Sequence, residues 1–408
     1  LTGASTFTNA ISLTGAGTLT ADAAATWSGV ISGSGTLAKA GASLLTLSGN
    51  NTYTGATTVS VGPLLVTHNN ALGTTGADTT VASGATLRIG NGLTVAENLT
   101  LSGIGVSSGI GALKINEGSG SATVSGTITL AADTDIGAYN SGDTLTLSGV
   151  ISGGFALTKV GSGTVVLSGD NTYTGATTVS TGTLVAAHNN ALGTTAGSTT
   201  VSSGASLGLQ GGVTVAEAVS VAGLGVSSAG AIYNVSGTNT LSGNVTLTGN
   251  TYLGVASDQL TISGSIGGGS SITKAGAGTL VLSGSNTYNN TTTVSGGTLS
   301  VAADGNLGSG GVTLAVGTTL AVTGATTIDN AVALSGNATL DNSAAVTLSG
   351  AISGAGNTLT KSGAGTLTLS STSNSSATTT ALTVTGGTLS EGAATTMVGG
   401  TLTLNGGN

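Results

Sequence analysis

The side chains with the widest chemical range in this chain are its two histidines, because imidazole can transfer protons near neutral pH. They occur in two copies of the octapeptide HNNALGTT, as His68 and His188. Catalysis would require a nucleophile or a carboxylate beside each ring, whereas the neighbours are Asn, Ala and Gly. The corresponding phrase ADGNLGSG at 303–310 has no histidine. We predict that both histidines are exposed members of a turn that follows a strand.

A second candidate is the acidic segment ADTDIGAYNSGD, which contains Asp133, Asp135 and Asp143 together with Asn140. Clustered carboxylates can cleave glycosidic bonds or bind calcium through their oxygens. The spacing resembles neither an EF-hand loop nor the nonapeptide calcium repeat. We favour a solvated loop over a calcium site, and a calcium site over a catalytic one. We therefore assign no catalytic, cofactor-binding or metal-binding residue to the chain.

Three tyrosines, Tyr53, Tyr173 and Tyr288, occupy one position of a repeated phrase and would suit a row that stacks on sugar rings. They are 120 and 115 residues apart, which is too far for one small ligand if successive turns of the chain stack at about 4.8 Å. We predict that each ring has a structural role and caps a turn against a neighbouring coil. We also expect Phe7, Trp27 and Phe155 to fill local gaps in the packing, each without another aromatic residue beside it.

A lysine recurs in the phrase L-x-K-x-G, which follows a variant of SGxISG or SGSIGG each time. The four copies place it at Lys39, Lys159, Lys274 and Lys361, with spacings of 120, 115 and 87 residues. A lysine beside a turn commonly keeps a strand edge soluble. We therefore predict that these four lysines lie at solvated strand edges and form no site.

Composition limits the kinds of protein that can present these residues. Aromatic residues are 2% and charged residues 5% of the chain, which excludes bulky globular cores, while 38% hydrophobic residues disfavour disorder. Cysteine is absent, so disulfides and thiolate metal sites are excluded. The net charge of −8 offers no basic surface, and nucleic acid is not an expected partner. The sequence contains no run of 18 apolar residues that would predict a membrane span.

The elements that must position these residues are short strands. Segment 163–209 contains alternating runs such as VVL, TTV and TLVA between Gly, Asn and Ser turns, which is a strand pattern and not a helical one. Runs of three to five residues suit a chain that coils so that each strand stacks on its equivalent at about 4.8 Å. We predict an all-β fold for residues 1–408, a single continuous right-handed parallel β-helix (β-solenoid) with coils of about 20 residues.

The four lysines mark four superrepeats within this solenoid segment. Segment 386–408, continued into 1–15, matches the internal stretch 296–336. The distance from Lys361 through the C-terminus and back to Lys39 is 86 residues, close to the 87 before it. We expect the segment to be a window of a longer tandem array. The expected partner is then the protein itself, by end-to-end coil stacking or by covalent continuation.

One extended phrase recurs as ASLLTLSGNNTYTGATTVSVGPLL (42–65), GSGTVVLSGDNTYTGATTVSTGTL (161–184) and GAGTLVLSGSNTYNNTTTVSGGTL (276–299). It resembles the autotransporter-associated β-strand repeat, G-x-G-T-L-x-L-S-G-x-N-T-Y-T-G-x-T-x-V-x-x-G-T-L. The copy at 363–389 has lost the N-T-Y-T-G core. The resemblance implies a β-helical passenger of a type V secretion system. It also implies an extracellular location or attachment to the outer-membrane surface of a Gram-negative bacterium.

For function, we expect a non-enzymatic extracellular structural rod or fibre of a bacterial cell surface, without a cofactor. The alternative is an adhesin passenger that attaches to host cells, surfaces or other bacteria, with cell-surface or matrix ligands as partners. An adhesin would carry its binding insertion in the longer superrepeats, around 103–120 and 223–239. Ice binding would require an uninterrupted T-x-T in every coil, and superrepeats of unequal length argue against it.

Overall fold

Short strands separated by tight turns make up nearly all of the described chain. The computed structural model describes residues 5–371, 381–391 and 402–405. It divides into two compact units, unit 1 (Leu1–Leu207) and unit 2 (Gly208–Asn408). In the described parts of both units the strands are parallel and stacked, which confirms the predicted all-β parallel β-helix. The continuity of one solenoid over 1–408 and its right-handed sense stay predictions.

The strands that begin in unit 1 are mostly short. In chain order, β1–β24 are Ser5–Phe7, Ile11–Leu13, Gly17–Thr20, Ala25–Trp27, Ile31–Gly33, Leu37–Ala40, Leu45–Leu47, Thr57–Val59, Gly62–Val66, Thr79–Val81, Ala85–Ile89, Thr94–Val95, Leu99–Gly103, Leu113–Ile115, Ser121–Val124, Ile128–Gly137, Thr144–Leu147, Ile151–Gly153, Leu157–Val160, Thr164–Leu167, Thr177–Val179, Thr183–Ala186, Thr199–Val201 and Ser206–Gln210.

The remaining strands lie in unit 2. In chain order, β25–β47 are Thr214–Val215, Val219–Gly223, Ile232–Ser236, Thr238–Leu241, Val245–Val255, Gln259–Ile262, Ile266–Gly267, Ile272–Ala275, Thr279–Leu282, Thr292–Val294, Thr298–Val301, Val312–Leu314, Thr319–Val322, Thr326–Ile328, Val332–Leu334, Ala338–Asn342, Val346–Leu348, Ile352–Ser353, Thr358–Ser362, Thr366–Leu369, Ala381–Val384, Thr388–Glu391 and Leu402–Leu404. Two short 3₁₀ turns are described there, Val226–Ser228 and Asp304–Asn306.

The coil length follows from the strand register. Ser5 pairs with Ala25, and Ala25 pairs with Leu45, so each pairing advances the chain by one coil. In unit 2, Thr319 pairs with Thr339 at the same separation. Side-chain hydrogen bonds between adjacent coils likewise join positions that are 20 apart in the sequence. These separations confirm the predicted coil length, and the paired strands find their hydrogen-bond partners one coil away.

The core is a stack of small aliphatic rows. Leu45 and Leu47 in β7 are fully buried, while Thr46 between them is only half-buried. The same alternation recurs in most strands, because successive side chains of a strand point to opposite faces. Inward Leu, Ile and Val fill a thin interior without large aromatic residues, which is why the low aromatic content is compatible with a folded chain.

Two of the described coils are longer than their neighbours, one in each unit. Leu87 pairs with Leu113 in unit 1, and Val215 pairs with Leu241 in unit 2, both across a wider sequence separation than that of the usual coil. The extra residues form the loops 104–112 and 224–231, each of which follows a strand that ends at a glycine. The exposed apolar side chains that these loops carry are Ile104, Val106 and Leu224.

Candidate functional site

The four recurrent lysines are buried, so the prediction that they keep strand edges soluble was wrong. Each is 0–1% exposed and lies on a strand with its side chain turned inward, on β6, β19, β32 and β43. A buried ammonium group must be hydrogen-bonded or it destabilises the fold. The strand alternation explains the error, since L-x-K places leucine and lysine on the same inward face.

Lys159 shows how the buried amine is satisfied. Its Nζ donates to the carbonyl oxygen of Gly161 at 2.7 Å, just after its own strand, and to that of Thr181 at 2.9 Å in the next coil. It also lies 3.2 Å from the Val160 carbonyl oxygen. A Cβ at Gly182 would lie only 2.7 Å from this Nζ, and the backbone there has a φ of +66°. The position after Thr181 therefore requires glycine.

Lys274 and Lys39 repeat this arrangement, whereas Lys361 donates to two carbonyl oxygens of its own coil. Lys274 Nζ donates to the carbonyl oxygens of Gly276 at 2.6 Å and Gly296 at 2.9 Å. The remaining donor–acceptor pairs of the two outer copies are Lys39 with Gly41, Lys39 with Val61, Lys361 with Ser362 and Lys361 with Gly363. In the first three copies the amine joins the carbonyls of two successive coils, and we call this arrangement the lysine clamp.

Burial shifts the acid–base equilibrium of the lysine clamp. It lowers the pKa of Lys159 from 10.5 to about 7 and the pKa of Lys39 and Lys274 to about 8. The pKa of Lys361 is also lowered by burial, and the carboxylate of Asp341 opposes that shift. The amine of Lys159 is therefore largely neutral in the folded chain at mildly alkaline pH, where it still has two N–H groups to donate.

The asparagine of the N-T-Y phrase bridges three coils. Asn171 Oδ1 accepts a hydrogen bond from the Ile151 backbone N–H at 2.8 Å, and its Nδ2 donates to the Ala191 carbonyl oxygen at 2.6 Å. Both partners are 20 residues away, one coil back and one coil forward. Asn171 is buried, so water does not replace these bonds. The two corresponding bridges are centred on Asn51 and Asn286.

The three repeat tyrosines are fully buried, and the predicted structural role is confirmed. The hydroxyl groups of Tyr173 and Thr177 are hydrogen-bonded at 2.7 Å, and Thr177 Oγ1 lies 3.4 Å from the Leu192 carbonyl oxygen. A Cβ at Gly193 would lie 3.0 Å from the tyrosine ring. The ring therefore packs against the backbone of the next coil and is unavailable to sugars.

Replacing Tyr173 by phenylalanine should remove one buried hydrogen bond and keep the ring packing. We expect a loss of about 1 kcal/mol in the free energy of unfolding, because Thr177 can still donate to the Leu192 carbonyl. Urea unfolding followed by far-UV circular dichroism measures this change. The matched variant Tyr139→Phe alters an exposed tyrosine and should be neutral; equal losses in both variants would contradict the assignment.

Both histidines lie in turns that follow a strand, as predicted, although each is half-buried and not fully exposed. His188 Nδ1 accepts a hydrogen bond from the Asn190 backbone N–H at 3.2 Å and lies 3.7 Å from an Asp170 carboxylate oxygen. His68 Nδ1 accepts from the Asn70 backbone N–H at 3.1 Å. In each histidine, the Nδ1 atom therefore stabilises the turn in which the residue lies.

The acidic segment is not a solvated loop throughout, and this prediction needs correction. Asp133 and Asp135 lie on β16, and Asp133 Oδ1 accepts from the Ala156 backbone N–H at 2.9 Å. Asp143 is fully buried in a turn. Its carboxylate accepts from the backbone N–H groups of Ser119 and Asn140, both at 2.9 Å. Asp143 therefore ties two coils together.

Within the ranges that the structure describes, no group of three or more His, Asp or Glu side chains could hold a metal ion. Also among those residues, no helix is long and apolar enough to cross a bilayer.

Two of the three isolated aromatic residues are in fact a pair. Phe7 in β1 and Trp27 in β4 lie on consecutive coils, with ring centroids 5.2 Å apart and ring planes at 11°. Their strands pair with Phe7 opposite Trp27. The prediction that each lacks a companion was wrong, because side chains one coil apart in the sequence lie next to each other in the stack. Phe155 is exposed on a turn.

Sequence reasoning missed two buried acids, Glu97 and Glu217, which occur in two copies of the phrase TVAE. Burial and the nearby Asp78 carboxylate raise the pKa of Glu97 to about 7. The repetition of an acid within an apolar phrase was the available signal. Lys114 is also fully buried and donates to Glu117 Oε1 at 2.9 Å.

The residues at the centre of these bonds, Lys159, Asn171 and the Tyr173–Thr177 pair, all lie within one repeated segment. The passenger-associated-transport-repeat matches the chain at residues 37–66, 157–186, 272–301 and 359–390. This chain is therefore a parallel β-solenoid that carries passenger-associated transport repeats. The bonds described above identify the physical roles of their recurrent residues.

Among characterised proteins, the chain is similar to the Adhesin BmaC autotransporter of Brucella suis biovar 1 (strain 1330). The two are 41% identical over 142 residues, which is 35% of this chain and 4% of the adhesin. The chain thus aligns with only a small part of that protein. No solved structure matches the chain.

Proposed function

We propose that this chain is a non-enzymatic section of an adhesin-type passenger on the surface of a Gram-negative bacterium, in which the solenoid serves as scaffold. The observation that carries the proposal is the 41% identity over 142 residues to an autotransporter adhesin. The four transport repeats support it. In this proposal, the further coils that we expect stack end to end on this section, and cell-surface or matrix ligands are the partners.

The chemistry of the recurrent residues favours a scaffold over an enzyme. The amine of Lys159, the amide of Asn171 and the hydroxyl of Tyr173 are buried and bonded within the coils. Polar groups used in this way stabilise stacking and are not accessible to a substrate. The loops 104–112 and 224–231 project apolar side chains from the longer coils and are the proposed points of attachment.

The proposal is tested on the bacterium that produces the protein. Antibodies raised against the purified chain should label the exterior of intact cells in immunogold electron microscopy. Deletion of both loops, 104–112 and 224–231, with each replaced by a glycine-containing turn, should reduce attachment of cells to host cells or surfaces without reducing labelling. Labelling confined to the cell interior would contradict the surface assignment, and unchanged attachment would contradict the assignment of the loops.

A further inference from the structure

Of the lysine and arginine side chains in this sequence, only Arg88 is not buried. The other five are lysines, all of them buried, whereas Arg88 is half-buried. It lies on β11 between the inward residues Leu87 and Ile89, so its side chain points outward. Its Nε is buried and has no hydrogen-bond partner among the residues that the structure describes. A guanidinium is always charged and has five N–H groups to donate, so Arg88 can still bind an anion.

The next coil places Lys114 beside Arg88. The two residues pair in register on β14 and β11, and adjacent strands lie about 4.8 Å apart. Lys114 Nζ donates to Glu117 Oε1 at 2.9 Å. The pKa of Glu117 is lowered mainly by this hydrogen bond and by the charge of Lys114, and to a smaller extent by the charge of Arg88. The described ion pair therefore joins Glu117 to the lysine and not to the arginine.

An exposed aromatic ring lies on the other side of Lys114. Gly137, which pairs with Lys114 in the following coil, has no side chain, and Tyr139 follows it by two residues. Lys114 Nζ lies 5.2 Å from the centroid of the Tyr139 ring, which is within the range of a cation–π interaction. The ring itself is exposed. Tyr139 therefore presents an aromatic surface whose position is stabilised by the buried lysine.

The loop 104–112 borders the same area. Thr86 precedes Arg88 by two residues on the outward face of β11. Its Oγ1 accepts from the Val106 backbone N–H and donates to the Gly111 carbonyl oxygen, both at 3.0 Å. The loop therefore covers Thr86 and places the exposed Val106 near Arg88. The residues that we call the arginine cluster are Arg88, Val106, Lys114, Glu117 and Tyr139.

Unit 2 builds the equivalent coils without this cluster. The phrase TLRIGNGLTVAE of unit 1 recurs there as SLGLQGGVTVAE, with Gly208 in place of Arg88. Tyr233 stands in place of Lys114. A Cβ at Gly208 would lie 3.1 Å from the Tyr233 ring, so this ring occupies the space that an arginine would need. The fold of these coils therefore does not require Arg88, and the cluster is not a general feature of the repeat.

The arrangement suits a sugar chain that carries carboxylates. A guanidinium binds a carboxylate through two parallel hydrogen bonds, and an exposed aromatic ring can pack against the apolar face of a sugar. Arg88 and Tyr139 lie two coils apart, about 10 Å at the strand spacing, which is more than one sugar ring covers. The acidic residues elsewhere in the chain interfere little, because charges farther than about 8 Å are largely screened at physiological ionic strength.

We propose that the arginine cluster binds an acidic oligosaccharide, with a uronate carboxylate on Arg88 and a neighbouring sugar ring on Tyr139. The cluster lies beside the loop 104–112 and gives the attachment surface a ligand class, so its role on the cell rests on the proposed function. Because the chain has a single arginine, the loop 224–231 does not share this ligand.

Titration of the purified, isotope-labelled chain with trigalacturonate, followed by NMR, tests the proposal. The one arginine gives a single Nε–H side-chain signal, which should shift as trigalacturonate is added. The trimethyl ester has the same sugar rings without the charges and should bind at least about tenfold more weakly. An Arg88 signal that does not move at millimolar trigalacturonate would overturn the proposal.

Variants separate the charge of Arg88 from the ring of Tyr139. Arg88→Gln should weaken trigalacturonate binding at least about tenfold. Tyr139→Ala should weaken it about threefold or more, whereas Tyr139→Phe keeps the ring and should bind like the wild type. Glu117→Gln removes a nearby negative charge and should strengthen binding about threefold, which a misfolded variant could not do. Wild-type affinity in Arg88→Gln, or no gain in Glu117→Gln, would refute the assignment.

A sulfated glycan is the competing ligand, because sulfate oxygens also accept hydrogen bonds from a guanidinium. A dextran sulfate oligomer that shifts the Arg88 signal when trigalacturonate does not would overturn the carboxylate assignment. These measurements use the purified chain, whereas the proposed function is tested by labelling and attachment of cells. The absence of glycan binding would therefore leave the surface assignment standing, and interior labelling would leave a positive glycan titration standing.

Discussion

The variant Asn171→Ala should unfold at markedly lower urea concentration than the wild type. It leaves the Ile151 N–H and the Ala191 carbonyl, both now bonded to the asparagine amide, without partners inside the stack. Each unsatisfied buried group costs about 1–3 kcal/mol, so the two groups together should cost about 2–6 kcal/mol. In a solenoid this loss should be concentrated in the coils around residues 151–191.

The control for this variant is Asn190→Ala. Asn190 is exposed and its Nδ2 donates to the exposed carboxylate of Asp170 at 2.7 Å, so its removal should change stability by less than about 0.5 kcal/mol. Limited proteolysis with mass spectrometry should show new cleavage near residues 151–191 in Asn171→Ala alone. Similar unfolding midpoints for the two variants would refute the coil-bridging role.

The variant Lys159→Met should lose stability by an amount that grows with pH. The pKa of Lys159 is about 7 in the folded chain and 10.5 as the reference value. Between pH 7 and pH 10.5 the lysine is protonated in the unfolded chain and largely neutral in the folded chain. The unfolded chain therefore binds more protons than the folded chain, and rising pH stabilises the folded wild type through this group. This contribution approaches about 1.4 kcal/mol per pH unit, and replacement of the lysine by methionine removes it.

Methionine also leaves the carbonyl oxygens of Gly161 and Thr181 without the lysine donor. At pH 9, where the amine is already neutral, we expect a loss of about 2 kcal/mol or more, and a smaller one at pH 6. Urea midpoints from pH 6 to pH 10 measure the trend. Thr178→Met, at an outward position of β21, should show no such pH-dependent difference; a constant deficit for Lys159→Met would disprove the shifted pKa.

The stacking of strands could be predicted from sequence because it depends on local alternation. Thr-x-Val and Leu-x-Leu runs between glycine turns specify inward and outward faces, and the regular return of these runs specifies the coil length. The near-absence of aromatic residues pointed to the same thin core. Composition and repeat length were therefore sufficient for the fold class.

The roles of individual polar residues could not be predicted in the same way. Lys159 and Asn171 make their bonds to residues in adjacent coils, and such contacts become visible only once the register between coils is known. The Phe7–Trp27 stack was missed for the same reason. The recurrent lysines were predicted to be solvated because lysine is usually exposed. In this chain they donate hydrogen bonds to carbonyl oxygens inside the coils.

Amine-reactive labelling of the native chain, read site by site by mass spectrometry, is the most direct test that the four recurrent lysines lie inside the coils and bond to backbone carbonyls. We expect Lys39, Lys159, Lys274 and Lys361 to stay unlabelled until the chain is denatured. A lysine introduced at the exposed Thr80 should be labelled at once and serves as the positive control. Native labelling of the four recurrent lysines at the rate of that introduced lysine would contradict their placement inside the coils.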